Sequence, residues 1–238
     1  MKKNTNSLDS VDALILCGGL GTRLRPVVSD RQKVMAEVGS RPFLEIVVQK
    51  LLKHGFKRII FCVGYLGNHI ENHFKKNNFP NDVIFEFSRE EKPLGTGGAI
   101  KNALPLVKSD VFLVSNGDSF FDIDLENFYL NHKKGDKAVS IALLKTTKNK
   151  EGGNVRLGDF GEILSFTEKE GETSLMNGGF YLMEKTVQEH FPDEENFSLE
   201  YDLFPKLIEK SGGFVFEGTF IDMGTPDRYE IAKKLFDS

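Results

Sequence analysis

The sequence predicts an α/β fold, a mostly parallel three-layer sheet with helices on both faces. Short apolar runs rich in Val, Ile and Phe alternate with stretches whose apolar residues recur at helical spacing, which is the rhythm of such a sheet. A glycine-rich turn follows the first run, and Asn116-Gly117-Asp118 follows the fourth. Ligands of parallel sheets bind at the carboxyl ends of the strands, so we expect both segments to open on one cleft.

The individual elements follow from the same periodicities. The apolar runs predict strands over residues 13–17, 58–63, 83–87, 111–115 and 139–144, and helical spacing predicts helices over 43–53 and 96–104. After residue 145, glycine turns separate short strands, the last of which covers 180–182. The remaining predicted elements are helices near 185–190 and 199–210, a strand pair near 214–222, and a helix over 226–236 with Thr225 as its N-cap.

Length and composition predict one globular domain. Of 238 residues, 39% are hydrophobic and 28% charged, and a net charge of −4 argues against general nucleic-acid binding. The polar residues 1–10 predict a mobile tail without a signal peptide, and no apolar run reaches the roughly 18 residues of a membrane span. Cys17 and Cys62 lie in apolar runs and predict reduced core thiols. We therefore expect a cytoplasmic protein with a single domain over residues 11–238.

The glycine turn after the first strand carries a local surplus of positive charge. Glycine lets backbone N–H groups approach an anion closely, and fixed cations beside such a turn suit a triphosphate. Residues 18–42 hold five basic side chains against two acidic ones, in a chain whose net charge is −4. These are Arg23, Arg25, Arg31, Lys33 and Arg41 against Asp30 and Glu37. This placement predicts an anionic substrate, with Arg23 and Lys33 as phosphate ligands.

Two aspartates at the ends of predicted strands are candidates for a metal site. Asp118 follows the run 111–115, and Asp222 ends the run that contains Phe220 and Ile221. Mg²⁺ is usually held by one or two carboxylates together with substrate phosphates. Each aspartate alone is also typical of a turn that satisfies nearby N–H groups. The cationic glycine turn elsewhere in the chain favours the metal interpretation.

Two further segments have the chemistry of a ligand site. Residues 90–99 form a second glycine cluster between a strand and a helix, and its N–H groups suit a nucleobase or phosphate, although a plain turn also explains it. Glu168, Lys169 and Asn177 supply a carboxylate, an ammonium and an amide, which suit sugar hydroxyls and a sugar phosphate, although surface polar residues look the same.

Several other functions are disfavoured by the sequence. It has no Walker-type phosphate loop and no Gly-x-Ser-x-Gly elbow. Residues 19–24 begin like a dinucleotide fingerprint, but Leu24 stands where the third glycine belongs, which disfavours hydride transfer. His69 and His73 are four residues apart without a third ligand, which indicates a pair on a helix surface.

Together these motifs resemble the sugar-1-phosphate nucleotidyltransferases, which make NDP-sugars from an NTP and a sugar 1-phosphate. The family pattern is a strand, G-G-x-G-T-R-L-x-P, a spacer and P-K-x-x-x-P-V. Here residues 18–26 read G-G-L-G-T-R-L-R-P, and residues 32–38 read Q-K-V-M-A-E-V. The further matches are P-L-G-T-G-G-A at 93–99, N-G-D at 116–118, E-K at 168–169, N-G-G at 177–179 and F-I-D-M-G-T-P at 220–226.

The chain departs from the family pattern at four positions. Gln32 and Glu37 replace prolines, Lys92 stands where relatives often have Glu, and Gly152 stands where many have Tyr. Within the family, the short chain and its segments N-G-D-S-F-F-D-I-D-L and N-G-G-F-Y-L are most similar to D-glycero-D-manno-heptose 1-phosphate guanylyltransferases. Short uridylyl- and cytidylyltransferases resemble it less.

The resemblance implies a Rossmann-like, GT-A-like sheet, with a nucleotide-binding half at 11–145 and a smaller, β-rich sugar-phosphate-binding half at 146–238. It implies in-line attack of a sugar 1-phosphate on the α-phosphorus of an NTP, GTP being favoured, with Mg²⁺ as cofactor, in a monomer or homodimer. Catalysis is assigned to Arg23, Lys33 and Asp118, and the metal to Asp118 and Asp222. The nucleotide is assigned to Leu16, Gly18, Gly19, Gly21, Thr22, Arg23, Pro93, Gly95, Thr96 and Gly117, and the sugar phosphate to Gly153, Glu168, Lys169 and Asn177.

Two alternatives stay open at this point. The first is the same reaction with another base, as in a cytidylyl- or uridylyltransferase. The second is a non-catalytic nucleotide-sugar sensor or regulatory subunit, because a fold does not determine a function. Retention of Arg23, Lys33, Asp118 and Asp222 argues against a sensor, which has no need of metal and transfer groups. No nucleic-acid or membrane partner is expected.

Overall fold

The computed structural model describes residues 8–19, 24, 31–145, 154–167 and 175–236. Its strands are β1 (Asp12–Leu16), β2 (Glu37–Val38), β3 (Arg41–Pro42), β4 (Arg58–Val63), β5 (Ile84–Arg89), β6 (Val111–Asn116), β7 (Ser119–Phe121), β8 (Val139–Lys145), β9 (Asn154–Leu157), β10 (Ile163–Thr167), β11 (Leu175–Glu184), β12 (Ser211–Phe216) and β13 (Phe220–Asp222). Its helices are α1 (Phe43–Lys53), α2 (Gly67–Lys76), α3 (Gly95–Ala103), α4 (Leu125–Lys134) and α5 (Pro226–Phe236).

Nine of these strands form one mixed sheet. In its first half β1 pairs in parallel with β4 and β6, and β4 pairs in parallel with β5. β11 joins antiparallel to β6 and to β8, and β8 carries β12 in parallel on its other side. β9 and β10 extend the beginning of β11, while β7–β13 and β2–β3 form two separate ribbons. The predicted α/β fold with a mostly parallel, mixed sheet is confirmed.

Helices cover both faces of the sheet, as predicted. On one face α2 and α4 bury Phe74 and Phe128 in a core that also takes in α1 and α5. On the other face α3 and the irregular helical turns of the second half bury Ile100 and Phe204. None of the helices in the described ranges combines the length and the apolar character needed to cross a lipid bilayer.

Several predicted elements differ in detail from the observed ones. The two strands predicted near 214–222 are present as β12 and β13, but they do not pair with each other, because β12 pairs with β8 and β13 pairs with β7. Predicted helices near 185–190 and 199–210 are 3-10 turns at Lys185–His190 and Phe204–Lys210 and a π turn at Leu199–Leu203. The helix over 226–236 is confirmed, and Thr225 Oγ1 accepts from Arg228 N at 3.4 Å as an N-cap does.

A buried ion pair fixes the N-terminal end of the central strand. Asp12 begins β1 and is 2% exposed. Its Oδ1 lies 3.2 Å from Arg58 Nε on β4, and its Oδ2 accepts from the backbone N–H groups of Lys108 and Ser109 just before β6. The carboxylate therefore ties the three central strands together at the end opposite their carboxyl ends.

Asp12→Asn is expected to destabilise the fold by about 2 kcal/mol, because a charge-assisted hydrogen-bond network loses its buried anion. Chemical denaturation measures the change as a lower midpoint with an unchanged slope. Asp9→Asn, at an exposed position three residues earlier, is the matched control and should leave the midpoint in place. Equal midpoints for the two variants would contradict this role of Asp12.

Candidate active site

A cleft of about 680 Å³ lies at the carboxyl ends of β1, β4 and β5. Its wall combines the turn after β1, the turn after β4 and the segment that leads from β5 into α3. Six predicted nucleotide ligands line this strand-end cleft, namely Leu16, Gly18, Gly19, Pro93, Gly95 and Thr96. The sheet therefore brings two distant sequence segments to one site, as its topology requires.

The other predicted nucleotide ligands have a different placement. Gly117 packs against β1, where a Cβ would lie 2.8 Å from Leu16 O and 3.2 Å from Cys17 Sγ. Its lack of a side chain thus lets the end of β6 approach β1 beneath the cleft. Gly21, Thr22 and Arg23 lie outside the described residues.

A half-buried carboxylate, Glu90, stands in the cleft wall directly after β5. Its Oε2 accepts from Leu94 N at 3.3 Å, and a Cβ at Gly18 would lie 3.0 Å from its Oε1. Burial raises the pKa of Glu90, and the Leu94 hydrogen bond opposes that shift only in part. No cation in the described part of the chain contributes to the shift. Glu90 therefore stands in the cleft wall without a cation that lowers its pKa in the described part of the chain.

The turn after β4 forms the rim of the cleft. Tyr65 is 59% exposed there, and its carbonyl accepts from Gln32 Nε2. Leu66 next to it has a φ of +60°, the one positive φ among non-glycine residues that the structure describes. Gln32 is 5% exposed and precedes Lys33. Its side chain thus joins the lysine-bearing segment to the rim where the family pattern has a proline.

Lys33 and Asp118 form a salt bridge beside the strand-end cleft. Lys33 begins a 3-10 turn at Lys33–Met35, and its Nζ donates to Asp118 Oδ2. The two side chains are 19% and 29% exposed, and Ser119 Oγ donates to Asp118 Oδ1 at 3.3 Å. The structure therefore brings together two of the three residues predicted to be catalytic. The third, Arg23, lies outside the described residues.

Asp222 lies next to Asp118 through the β7–β13 ribbon. The ribbon sets Asp222 opposite Ser119, and Met223 N donates to Asp118 O at 2.9 Å. Asp222 Oδ1 accepts from Gly224 N at 2.9 Å and from Arg228 Nη1 at 3.0 Å. Both carboxylates therefore face cations, and their hard oxygens are the donors that Mg²⁺ prefers. In the described ranges no cluster of three or more His, Cys, Asp or Glu side chains offers a larger ligand set.

The glycine cluster at the start of α3 docks the second half of the chain. Gly97 N and Gly98 N donate to Phe197 O at 3.0 and 3.3 Å, so these two N–H groups are not available to a phosphate. A Cβ at Gly97 would lie 2.2 Å from the Phe197 ring, and one at Gly98 would lie 2.1 Å from Glu195 O. The expectation that these N–H groups contact the nucleotide is therefore wrong for Gly97 and Gly98, and their glycines are needed for packing.

Asn177, the described member of the predicted sugar-phosphate set, lies beside the 116–118 segment. Ser115 pairs with Phe180, and a Cβ at Gly179 would lie 2.8 Å from Asn116 Nδ2. A register shift in β11 follows Asn177, and Gly179 there has a φ of +73°. The amide is held by Gly179 N, which donates to Asn177 Oδ1 at 2.9 Å. The other members, Gly153, Glu168 and Lys169, lie outside the described residues.

Sequence reasoning missed three side chains of this site. Glu90 and Tyr65 are in the cleft wall, and Glu200 contacts Thr96. A signal for Glu90 did exist, because an acidic residue immediately after a strand points toward the strand-end edge of a parallel sheet. Both Glu90 and Glu91 line the cleft, and nothing in the sequence indicated that Glu90 is the half-buried one, since that depends on the register of β5 with β4.

Comparison with known proteins identifies the family of the chain. Residues 12–237 match the family model for nucleotidyl transferases, so the chain belongs to that family. It is 39% identical to D-glycero-alpha-D-manno-heptose 1-phosphate guanylyltransferase of Campylobacter jejuni subsp. jejuni, over 92% of this chain and 97% of the relative. The enzyme of the same name from Aneurinibacillus thermoaerophilus is 36% identical over 94% and 97% of the two chains.

A solved structure shows the same fold. HddC from Yersinia pseudotuberculosis, in a complex with GMP-PN, superposes with a TM-score of 0.85 at 33% identity, covering 95% of this chain and 99% of the other. The resemblance to sugar-1-phosphate nucleotidyltransferases is thus confirmed. Nucleotidyltransferases of this family generally use a divalent metal ion, which the donor set of Asp118 and Asp222 fits.

Asp118→Asn is expected to lower the rate of nucleotidyl transfer by a factor on the order of 10² to 10³, because the anion that fixes the Lys33 ammonium is lost and the cation is no longer preorganised. Pyrophosphate release measures the rate, and a thermal melt shows that the variant remains folded. Asp227→Asn removes an exposed carboxylate five residues beyond Asp222 and is the control. Asp118→Asn turnover equal to that of this control would rule out the assigned role.

Proposed function

We propose that the chain transfers the guanylyl group of GTP to D-glycero-α-D-manno-heptose 1-phosphate, giving GDP-heptose and pyrophosphate. Two full-length relatives that carry the name of this activity support the sugar. One observation in this chain supports the base, namely the Glu90 carboxylate in the wall of the strand-end cleft. Both rest on membership of the nucleotidyl transferase family, which covers residues 12–237.

The carboxylate selects guanine because of the pattern of donors on each base. Guanine presents two adjacent donors, N1–H and the N2 amino group, which two carboxylate oxygens accept together. Uracil presents one N–H between two carbonyl oxygens, while cytosine and adenine place a bare ring nitrogen beside the amino group. Each of those bases would bring an acceptor against Glu90. Glu90 thus disfavours the cytidylyl- and uridylyltransferase alternatives.

Transfer itself is an electrostatic problem, because attacker and target are both anions. Lys33, fixed by Asp118, supplies positive charge beside the cleft, and we assign Arg23 to the same phosphates. Asp118 and Asp222 would hold Mg²⁺, which neutralises developing charge on phosphate oxygens when it is bound. Asn177, together with Gly153, Glu168 and Lys169, is assigned to the sugar phosphate. No covalent protein nucleophile is required.

Pyrophosphate release across four NTPs and a panel of sugar 1-phosphates tests this function. We expect turnover to be fastest with GTP and the manno-configured heptose 1-phosphate. Fastest turnover with CTP or UTP would support the other-base alternative. Nucleotide binding without turnover of any combination of NTP and sugar 1-phosphate would support the sensor alternative.

Glu90→Gln is expected to lower kcat/KM for GTP roughly 10- to 100-fold, because the amide replaces one of two acceptors with a donor. The same change should abolish the preference of the wild type for GTP over ITP, which lacks the N2 amino group. Glu194→Gln removes an equal charge at an exposed position and is the matched control. A GTP-to-ITP ratio that survives in Glu90→Gln would exclude Glu90 from base selection.

The pH dependence of GTP binding provides a second readout of the same assignment. Burial raises the pKa of Glu90 above 4.5, so this carboxylate takes up its proton at a higher pH than an ordinary glutamate does. Protonation places a donor against guanine N1–H. The KM for GTP should therefore rise as pH falls through the raised pKa. In Glu90→Gln this rise in KM should be absent.

A further inference from the structure

A continuous chain of hydrogen bonds joins Thr96 in the strand-end cleft to Asn177 on β11. Asn177 Nδ2 donates to Tyr181 OH at 2.9 Å, and Tyr181 OH donates to Glu200 Oε1 at 3.4 Å. The second carboxylate oxygen, Oε2, accepts from Thr96 Oγ1 at 3.1 Å and from Ser198 Oγ at 3.0 Å. Thr96 lines the strand-end cleft, whereas Asn177 is hydrogen-bonded to Gly179, which lies against Asn116.

The direction of every bond in this chain is determined. Thr96 Oγ1 accepts from Leu199 N at 2.8 Å and Ser198 Oγ accepts from Glu200 N at 3.2 Å, so both hydroxyl protons point to Glu200. Because a carboxylate only accepts, Tyr181 must donate to it and must accept from the Asn177 amide. Gly179 N fixes the opposite end of that amide. Asn177 therefore presents its remaining donor and acceptor in one orientation.

We propose that Glu200 is a positioning residue that couples the nucleotide side to the sugar-phosphate side through Tyr181, so that nucleotide bound against Thr96 orders Asn177 for the sugar phosphate. The inference rests on the proposed function, because it takes Asn177 as a sugar-phosphate ligand. Glu200 acts through its neighbours and has no assigned contact with the reacting atoms. Its coupling gives tighter binding of the second ligand because the first has already ordered the shared side chains.

The hydrogen-bonded chain of Asn177, Tyr181, Glu200 and Thr96 is called the relay below. Its surroundings agree with this role. Tyr181 is fully buried, and its ring centroid lies 5.2 Å from that of Phe204, so core packing supports the phenol from one side. Burial and the neighbouring Glu200 raise the pKa of Tyr181, which keeps it protonated as a donor. The same segment docks on α3, where Phe197 N donates to Leu94 O at 3.0 Å and Asn196 Nδ2 donates to Pro93 O at 2.7 Å. A ligand that orders residues 93–96 of the cleft wall therefore also orders Glu200.

Two substitutions interrupt the relay at different links. Tyr181→Phe removes the central hydroxyl and keeps the packed ring. Glu200→Gln keeps the shape but offers one acceptor in place of two. If its amide nitrogen faces Tyr181, the phenol loses its acceptor, and if it faces Thr96 and Ser198, those hydroxyls lose theirs. Either orientation breaks the connection between the two sides.

The test is a binding measurement with the whole chain, Mg²⁺ and the α,β-methylene analogue of GTP, whose α–β bond the reaction cannot break. Calorimetry gives the Kd of D-glycero-α-D-manno-heptose 1-phosphate with and without the analogue. We expect the analogue to tighten that Kd about tenfold in the wild type, within the usual range of coupling between sites, and at most about twofold in Tyr181→Phe and in Glu200→Gln. The double variant should equal the single variants, because all interrupt one connection.

Tyr129→Phe, which removes a half-buried phenol hydroxyl on α4, is the control and should keep the tenfold effect. Retention of that effect in Tyr181→Phe and Glu200→Gln, or its absence from the wild type, would overturn the relay. Pyrophosphate release by the wild type separates the two proposals. Coupling without turnover supports the relay and contradicts the proposed function, and turnover without coupling contradicts the relay alone.

Discussion

The arrangement of the site depends on the contact between the start of α3 and the segment around Phe197. One carbonyl accepts both orphan N–H groups of Gly97 and Gly98, at 3.0 and 3.3 Å, and no side chain fits at either glycine. This contact holds the second half of the chain against the first. It therefore places Glu200 beside Thr96, a residue of the cleft wall.

Charge is distributed around this contact in two separate regions. The cleft wall combines glycine and apolar groups with several polar side chains, among which the half-buried carboxylate of Glu90 suits a base with two adjacent donors. Beside it, Lys33 and Arg228 face Asp118 and Asp222 in paired contacts. Such pairs preorganise charge beside the cleft, whereas Lys92 in the cleft wall is exposed and pairs with Glu195.

Much of the fold could be predicted from the sequence, because hydrophobic periodicity and strand-end motifs are local signals. The helix at Phe43–Lys53 and the strand-end positions of Asp118 and Asp222 follow from such signals. Helix α4 was not predicted, because its apolar positions recur only weakly. The partners of β12 and β13 could not be predicted either, since strands close in sequence often pair and here they do not. Glu200 escaped notice because its role depends on a contact across 104 residues.

In the proposed complex the Glu90 carboxylate accepts hydrogen bonds from guanine, while Lys33 and Asp118 lie on the side of the phosphates. A crystal structure of the chain with GTP and Mg²⁺ tests this most directly. We expect guanine N1 and N2 each at about 2.8 Å from a Glu90 carboxylate oxygen, the distance of a charge-assisted hydrogen bond. A guanine whose N1 and N2 face the opposite wall or solvent, with Glu90 unengaged, would contradict it.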